Sequence, residues 1–162
     1  MKRIVAISGT LVIVAIIIVS GSAVAAWVYA IDYWEEKCTS PWLALYDPDY
    51  NHSTVGTNVP PTSLGILKLD LGAGNEMGPG QDFTVFASSI ISEIYGVKVY
   101  TPSNTTGEHL WFQTDTADHD FTTPSTDNMV WRYIEISGIT GSTGVGDPIY
   151  GPEIDAVGWD KP

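Results

Sequence analysis

The 162-residue chain carries 19 Asp and Glu against seven Lys and Arg, a formal net charge of −12, with 16 Gly, 10 Pro and a single Cys. A chain this acidic repels phosphate backbones, which argues against a nucleic acid partner, and one cysteine excludes a fold stapled by internal disulfides. Behind an apolar N-terminus about 125 residues remain, enough for one domain with its own core and too few for two.

Met1-Lys2-Arg3 is a short basic start, and residues 4–31 contain no charged side chain. A charge at the centre of a membrane helix costs roughly 2.5–3.5 kcal/mol and a span needs about 20 residues, so the stretch reads as one N-terminal hydrophobic helix. The basic end stays inside and everything after Asp32 lies outside. Two readings stay open. Leu11 to Val19 is a compact apolar core, and Ala23-Val24-Ala25 before Ala26 is a small-residue cleavage site, as in a secretory signal peptide. Alternatively the chain stays apolar through Trp27, Val28, Tyr29 and Ile31, and Trp27, Tyr29, Tyr33 and Trp34 cluster where a membrane interface would sit, as in an uncleaved anchor in contact with membrane lipid. Both readings place the domain at the cell surface or in the medium.

The divisions that follow are a hydrophobic segment over residues 1–31, a short stalk over 32–41 and an exported domain over 42–162. Asp32 to Ser40 reads as one or two helical turns ended by Pro41. Cys38 follows Glu35-Glu36-Lys37, which argues against lipidation. Its lone thiol is either buried or available for an intermolecular disulfide between two copies. From Asp32 onward 19 acids face five bases, Lys37, Lys68, Lys98, Arg132 and Lys161, a net charge of −14.

Strand candidates come next. Trp42 to Tyr46 is short. In Leu64 to Leu71, Leu67, Leu69 and Leu71 alternate with Lys68 and Asp70, the period of a half-buried strand. Phe83 to Phe86 places Phe83 and Val85 on one face. Tyr95 to Tyr100 sets Tyr95, Val97 and Val99 against Gly96, Lys98 and Tyr100. Leu110 to Phe112 is a short apolar piece. Val130 to Ile136 sets Val130, Arg132, Ile134 and Ile136 against Trp131, Tyr133 and Glu135, and Ile154 to Trp159 closes the chain. Turn-formers lie between, four Gly with Asn75 and Pro79 in Gly72 to Gly80 and five Gly with two Pro in Gly138 to Pro152. Strands at this spacing predict an all-β, antiparallel β-sandwich.

The strand motifs, in order, resemble a family. Leu67-x-Leu69-x-Leu71-Gly72 is followed by Gly78-Pro79-Gly80-Gln81-Asp82-Phe83-Thr84-Val85-Phe86. Then come Tyr95-Gly96-Val97-Lys98-Val99, Trp131-Arg132-Tyr133-Ile134-Glu135-Ile136 and a closing Glu153-Ile154-Asp155-Ala156-Val157. Over residues 63–158 this is similar to secreted prokaryotic cell-surface β-sandwich domains of the galactose-binding, discoidin-like jelly-roll superfamily. The resemblance implies an extracellular sandwich linked to carbohydrate or envelope contact and often stabilised by calcium. Ala87 and Gly158 stand where the family pattern has acids.

Asp47, Asp49 and Asn51 offer oxygen ligands at every second position, which suits Ca²⁺ or a tight Asx turn. Asp82, Glu153 and Asp155 form a second candidate oxygen set. Asp115 to Asp120 gathers three acids and His119, short of a transition-metal set. No G-x-S-x-G, H-E-x-x-H or Walker-type loop is present, so the reading is non-catalytic. Asn51 and Asn104 head N-x-[ST] sequons, permissive for glycosylation. Trp111 is a candidate sugar-stacking residue. The functional expectation is a structural or adhesive surface protein, self-assembling as a homo-oligomer in a layer or filament or contacting other envelope proteins. The alternative is a calcium-dependent carbohydrate-binding module.

Overall fold

The computed structural model describes residues 26–51, 53–57, 63–87, 93–103, 107–125, 128–140 and 151–162. The strands among them are β1 (Ala26–Tyr29), β2 (Asp32–Glu36), β3 (Ser53–Thr54), β4 (Gly56–Thr57), β5 (Ser63–Leu64), β6 (Ile66–Asp70), β7 (Asp82–Ala87), β8 (Ile94–Tyr100), β9 (Gly107–Thr114), β10 (His119–Thr122), β11 (Tyr133–Gly138) and β12 (Glu153–Lys161). They build an antiparallel β-sandwich of the jelly-roll kind. One sheet runs β1-β12-β7-β10, with β3 also on β12; the other runs β2-β6-β11-β8-β9; β4 and β5 form a small separate pair.

Period-two alternation makes the core. Leu67 and Leu69 of β6, Val97 and Val99 of β8, and Ile134 and Ile136 of β11 are buried from one side, in one cluster with Phe83, Val85, Val157 and Trp159 of the opposing sheet. Each such side chain contributes roughly 1.5–3 kcal/mol by leaving water. Lys68, Asp70, Lys98, Tyr100, Tyr133 and Glu135 occupy the alternate positions and line up across the outer face of the β6 sheet.

Three segments depart from the sequence expectation. The first is the N-terminal boundary. Residues 26–31, assigned to a membrane helix, contain strand β1, paired with β12 from Ala26↔Lys161 to Tyr29↔Gly158. Asp32–Glu36, expected as a helical stalk, is β2 on the edge of the other sheet, paired with β6. The chain changes sheets at Ala30 and Ile31: the Ala30 N–H donates to Val157 O at 3.0 Å and the Ile31 N–H to Asp70 O at 2.8 Å. Two sheet ladders satisfy this backbone better than an isolated helical turn followed by Pro41 could, and Val28, Ala30 and Tyr33 gain contact with the core. The expected aromatic cluster is therefore divided, with Trp27 and Tyr29 on one sheet and Trp34 on the other. No helix among the described residues is long and apolar enough to cross a membrane; residues 1–25, which carry most of the expected hydrophobic helix, lie outside the described residues.

The second departure is Trp42 to Tyr46, where a 3-10 turn (Pro41–Ala44) replaces a strand. Ser40 enters it with φ of 52°, and Pro41 supplies the fixed φ of a first helical residue. The third is the phase of the strand near Arg132. Tyr133 to Ile136 alternate as expected, but Trp131 is buried and Val130 is exposed. Trp131 leaves the β11 ladder and exchanges backbone hydrogen bonds of 2.8 and 2.9 Å with Met77. With Leu71 and Met77 it closes one end of the core.

Candidate ligand-binding site on the outer face of the β6 sheet

Strands β2, β6 and β11 present a cleft of about 550 Å³, lined by Asp32, Tyr33, Trp34, Lys68, Asp70, Tyr133 and Glu135. Register brings these residues together: Trp34 opposes Lys68, Lys68 opposes Glu135, and Asp70 lies between Asp32 and Tyr133. The floor consists of two ion pairs. Arg132 is bidentate on Asp70, with Nε and Nη2 each 2.7 Å from a carboxylate oxygen, and Asp70 also accepts the Gly72 N–H at 2.7 Å. Burial alone would raise the Asp70 carboxyl pKa. The Arg132 guanidinium and the Gly72 N–H outweigh it and hold the group below the usual carboxylate range.

In the second pair Lys68 Nζ lies 3.9 Å from Glu135 Oε2 and 3.2 Å from the centroid of the Tyr100 ring. The Tyr100 hydroxyl donates to the same Glu135 oxygen at 2.8 Å. Burial lowers the Lys68 pKa and neighbouring Lys98 adds to that, while Glu135 opposes it. Above this floor stands Trp34, 56% exposed on the edge strand. Three of the five bases beyond Asp32, namely Lys68, Lys98 and Arg132, belong to this one face of an acidic domain. The cleft thus offers fixed donors, fixed acceptors and an apolar ring within one small volume.

Of the expected metal ligands, Asp49, Asn51, Asp82 and Asp155 have visible side-chain hydrogen bonds. Asp155, almost fully buried, accepts the backbone N–H groups of Asp49 and Tyr50 at 3.1 and 3.0 Å. Asp49 accepts the backbone N–H and side-chain amide of Asn51, both at 2.9 Å. Asp155 therefore joins the Asp47–Asn51 loop, as its anchor. Within the loop Tyr50 has φ of 66°, a left-handed conformation that costs roughly 1–2 kcal/mol for a bulky residue and that the carboxylate grip helps hold. Asp82 is elsewhere, accepting the Thr122 hydroxyl at 2.6 Å, and the Glu153 backbone N–H donates to Asp115 at 3.1 Å. Among the described residues no group of three His, Cys, Asp or Glu could hold a metal ion.

Of the two sequon asparagines, Asn51 is exposed; Asn104 lies outside the described residues, as does the side chain of Trp111, whose backbone is in β9. The Cys38 thiol is half-buried and donates to Ile66 O at 3.2 Å. Burial first, and the Glu35 carboxylate second, push its pKa up to about 12, so little reactive thiolate is present near neutrality. The sequence reading missed the cleft because it placed Trp34 in the stalk. The signal available was the alternation Asp32-Tyr33-Trp34-Glu35-Glu36.

Fold and site together define an antiparallel, jelly-roll-like β-sandwich with an aromatic and charged cleft on one sheet. Two solved structures share the architecture. A CBM32 of AlyQ in complex with 4,5-unsaturated mannuronic acid superposes with a TM-score of 0.53 at 14% identity, covering 83% of this chain and 97% of that one. The X-ray crystal structure of chitosan-binding module 1, derived from a chitosanase/glucanase of Paenibacillus sp. IK-5, superposes with a TM-score of 0.52 at 14% identity, covering 82% and 96%. No family model and no curated protein matches the sequence.

Proposed function

We propose that this chain is a non-catalytic glycan-binding module working outside the cytoplasm, and that the cleft on the outer face of the β6 sheet is its binding site. The observation that carries the reading is the placement of exposed Trp34 beside the Asp70–Arg132 and Lys68–Glu135 pairs. A pyranose ring has an apolar C–H face and a rim of hydroxyls that donate and accept. Trp34 would take the first and the paired charges the second. The two ion pairs neutralise themselves and Asp32 adds a further carboxylate, so the lining disfavours anions and suits a hydroxyl-rich sugar. The fold shared with a CBM32 and a chitosan-binding module supports the same ligand class.

Trp34→Ala is expected to weaken binding to an oligosaccharide captured on a glycan array at least tenfold, with unchanged thermal unfolding because the side chain is exposed. An array on which the native chain retains no glycan would end this reading.

Strand β1 supports export by a cleaved signal: Trp27, Val28 and Tyr29, which an uncleaved anchor would hold in or at the membrane, pair with β12 in the sandwich, and the Ala23-Val24-Ala25 motif precedes them in the sequence. Sequencing the N-terminus of the protein recovered from its native host is expected to begin at Ala26. A retained Met1 or Lys2 would instead make the hydrophobic segment a permanent anchor.

A further inference from the structure

The outer face of the β12 sheet carries a second aromatic surface of different character. Trp27 and Tyr29 project from β1 with ring planes 16° apart and centroids 5.9 Å apart. Phe86 of β7 reaches across β12 to lie 5.7 Å from the Trp27 ring and 6.2 Å from the Tyr29 ring. Between them β12 offers Gly158, opposite both Tyr29 and Thr84. A Cβ at Gly158 would stand 2.5 Å from Tyr29 Cδ1 and 2.8 Å from Cε1. The Tyr29 ring therefore lies down across the strand, in space that only glycine leaves open. The nearly parallel Trp27 extends the same surface, 46% exposed.

The rim is acidic. Asp160 pairs in register with Trp27. Asp120, exposed, accepts the Thr84 hydroxyl at 2.6 Å. Asp47 is close enough to Tyr29 to reinforce the effect of burial in raising the phenol pKa. Among the described residues no Lys or Arg answers these charges. Lys68, Lys98 and Arg132 belong to the other sheet, Lys37 follows β2, and Lys161 is turned to Gly74 O and Asn75 at 2.6 and 3.3 Å.

We propose that this face is a second, independent glycan-binding surface, selective for amino sugars: pyranose C–H faces stack on Trp27 and Tyr29 while ammonium groups meet Asp47, Asp120 and Asp160. The ligand class rests on the glycan-binding reading above; the place and the charge preference rest on this face alone. Because the two aromatic surfaces are on the outer faces of opposed sheets, one copy can bridge two polysaccharide chains.

The test uses the full chain with a glucosamine hexasaccharide and its fully N-acetylated counterpart, followed by titration calorimetry. The expected result is at least fivefold tighter binding of the glucosamine form, weakened by added salt. Trp27→Ala should lower the affinity at least tenfold, Gly158→Ala should lower it by displacing Tyr29, and Asp160→Asn should lower it two- to fivefold without touching the rings. Glu36→Gln, on the opposite sheet and outside both surfaces, should leave it within twofold. Equal binding of the N-acetylated form overturns the amino-sugar preference. Loss of hexasaccharide binding in Trp34→Ala with retention in Trp27→Ala overturns the second surface and leaves the cleft reading intact. An array that retains no glycan at all removes the reading beneath both.

Discussion

Asp115→Ala is expected to remove about 3–4 kcal/mol of folding stability, a fall in Tm of roughly 10–15 °C for a domain of this size. Asp115 is fully buried, and its two carboxylate oxygens serve different sheets. One accepts the Glu93 N–H at 3.0 Å, just ahead of β8; the other accepts the Glu153 N–H at 3.1 Å, at the start of β12. The Asp115 N–H returns a bond to Glu93 O at 3.1 Å. Alanine would strand both donors, and the Glu93 position is too enclosed for water to replace the lost acceptor. Asp115→Asn keeps one oxygen and so is expected to cost about half as much. Thermal and urea unfolding of the two variants provide the check. A loss below 1 kcal/mol for Ala, or equal losses for Ala and Asn, would show that the two bonds do not tie the sheets as argued.

The strands in the middle of the β6 sheet were legible because burial on one side writes itself into the sequence. Leu67-Lys68-Leu69-Asp70 and Tyr133-Ile134-Glu135-Ile136 each state their face and their period. The N-terminal edge strands β1 and β2 were not legible. Trp27-Val28-Tyr29 alternates too, but it follows a long apolar run, and nothing local separates the last turn of a hydrophobic helix from a strand whose partner lies at the far end of the chain. β12 decides the matter through pairing with Tyr29↔Gly158, a contact no window of sequence contains. The same blindness hid the candidate site. Trp34 was visible as an aromatic, yet its role depends on Lys68, Asp70 and Glu135, which reach it only through the β2-β6-β11 register. Asp155 makes the same point from the other side: the sequence groups it with Asp82 and Glu153, and the structure sets it under the Asp47–Asn51 loop, where it accepts the Asp49 and Tyr50 N–H groups.

The end of the core links stability to binding. Trp131→Ala is expected to cost about 3–5 kcal/mol, the usual loss when a large buried aromatic leaves a cavity. Trp131→Phe is expected to cost far less, because the indole Nε1 is buried with no hydrogen-bond partner among the described residues. Removing that N–H relieves a desolvation penalty of about 1–3 kcal/mol and offsets part of the lost ring volume. The consequence reaches the cleft through the backbone. Trp131 is held by Met77, and the next residue, Arg132, accepts the Leu71 N–H at 3.2 Å through its carbonyl while its guanidinium grips Asp70. A cavity at Trp131 loosens the two segments whose register sets that bidentate pair, so Trp131→Ala should weaken oligosaccharide binding even at temperatures where the variant remains folded. Trp131→Phe should bind as the native chain does. Titration of both variants at 10 °C, alongside their thermal unfolding, separates the effects. Native-like binding by Trp131→Ala, or equal losses in Ala and Phe, would show that the ring volume at this position does not set the Asp70–Arg132 pair.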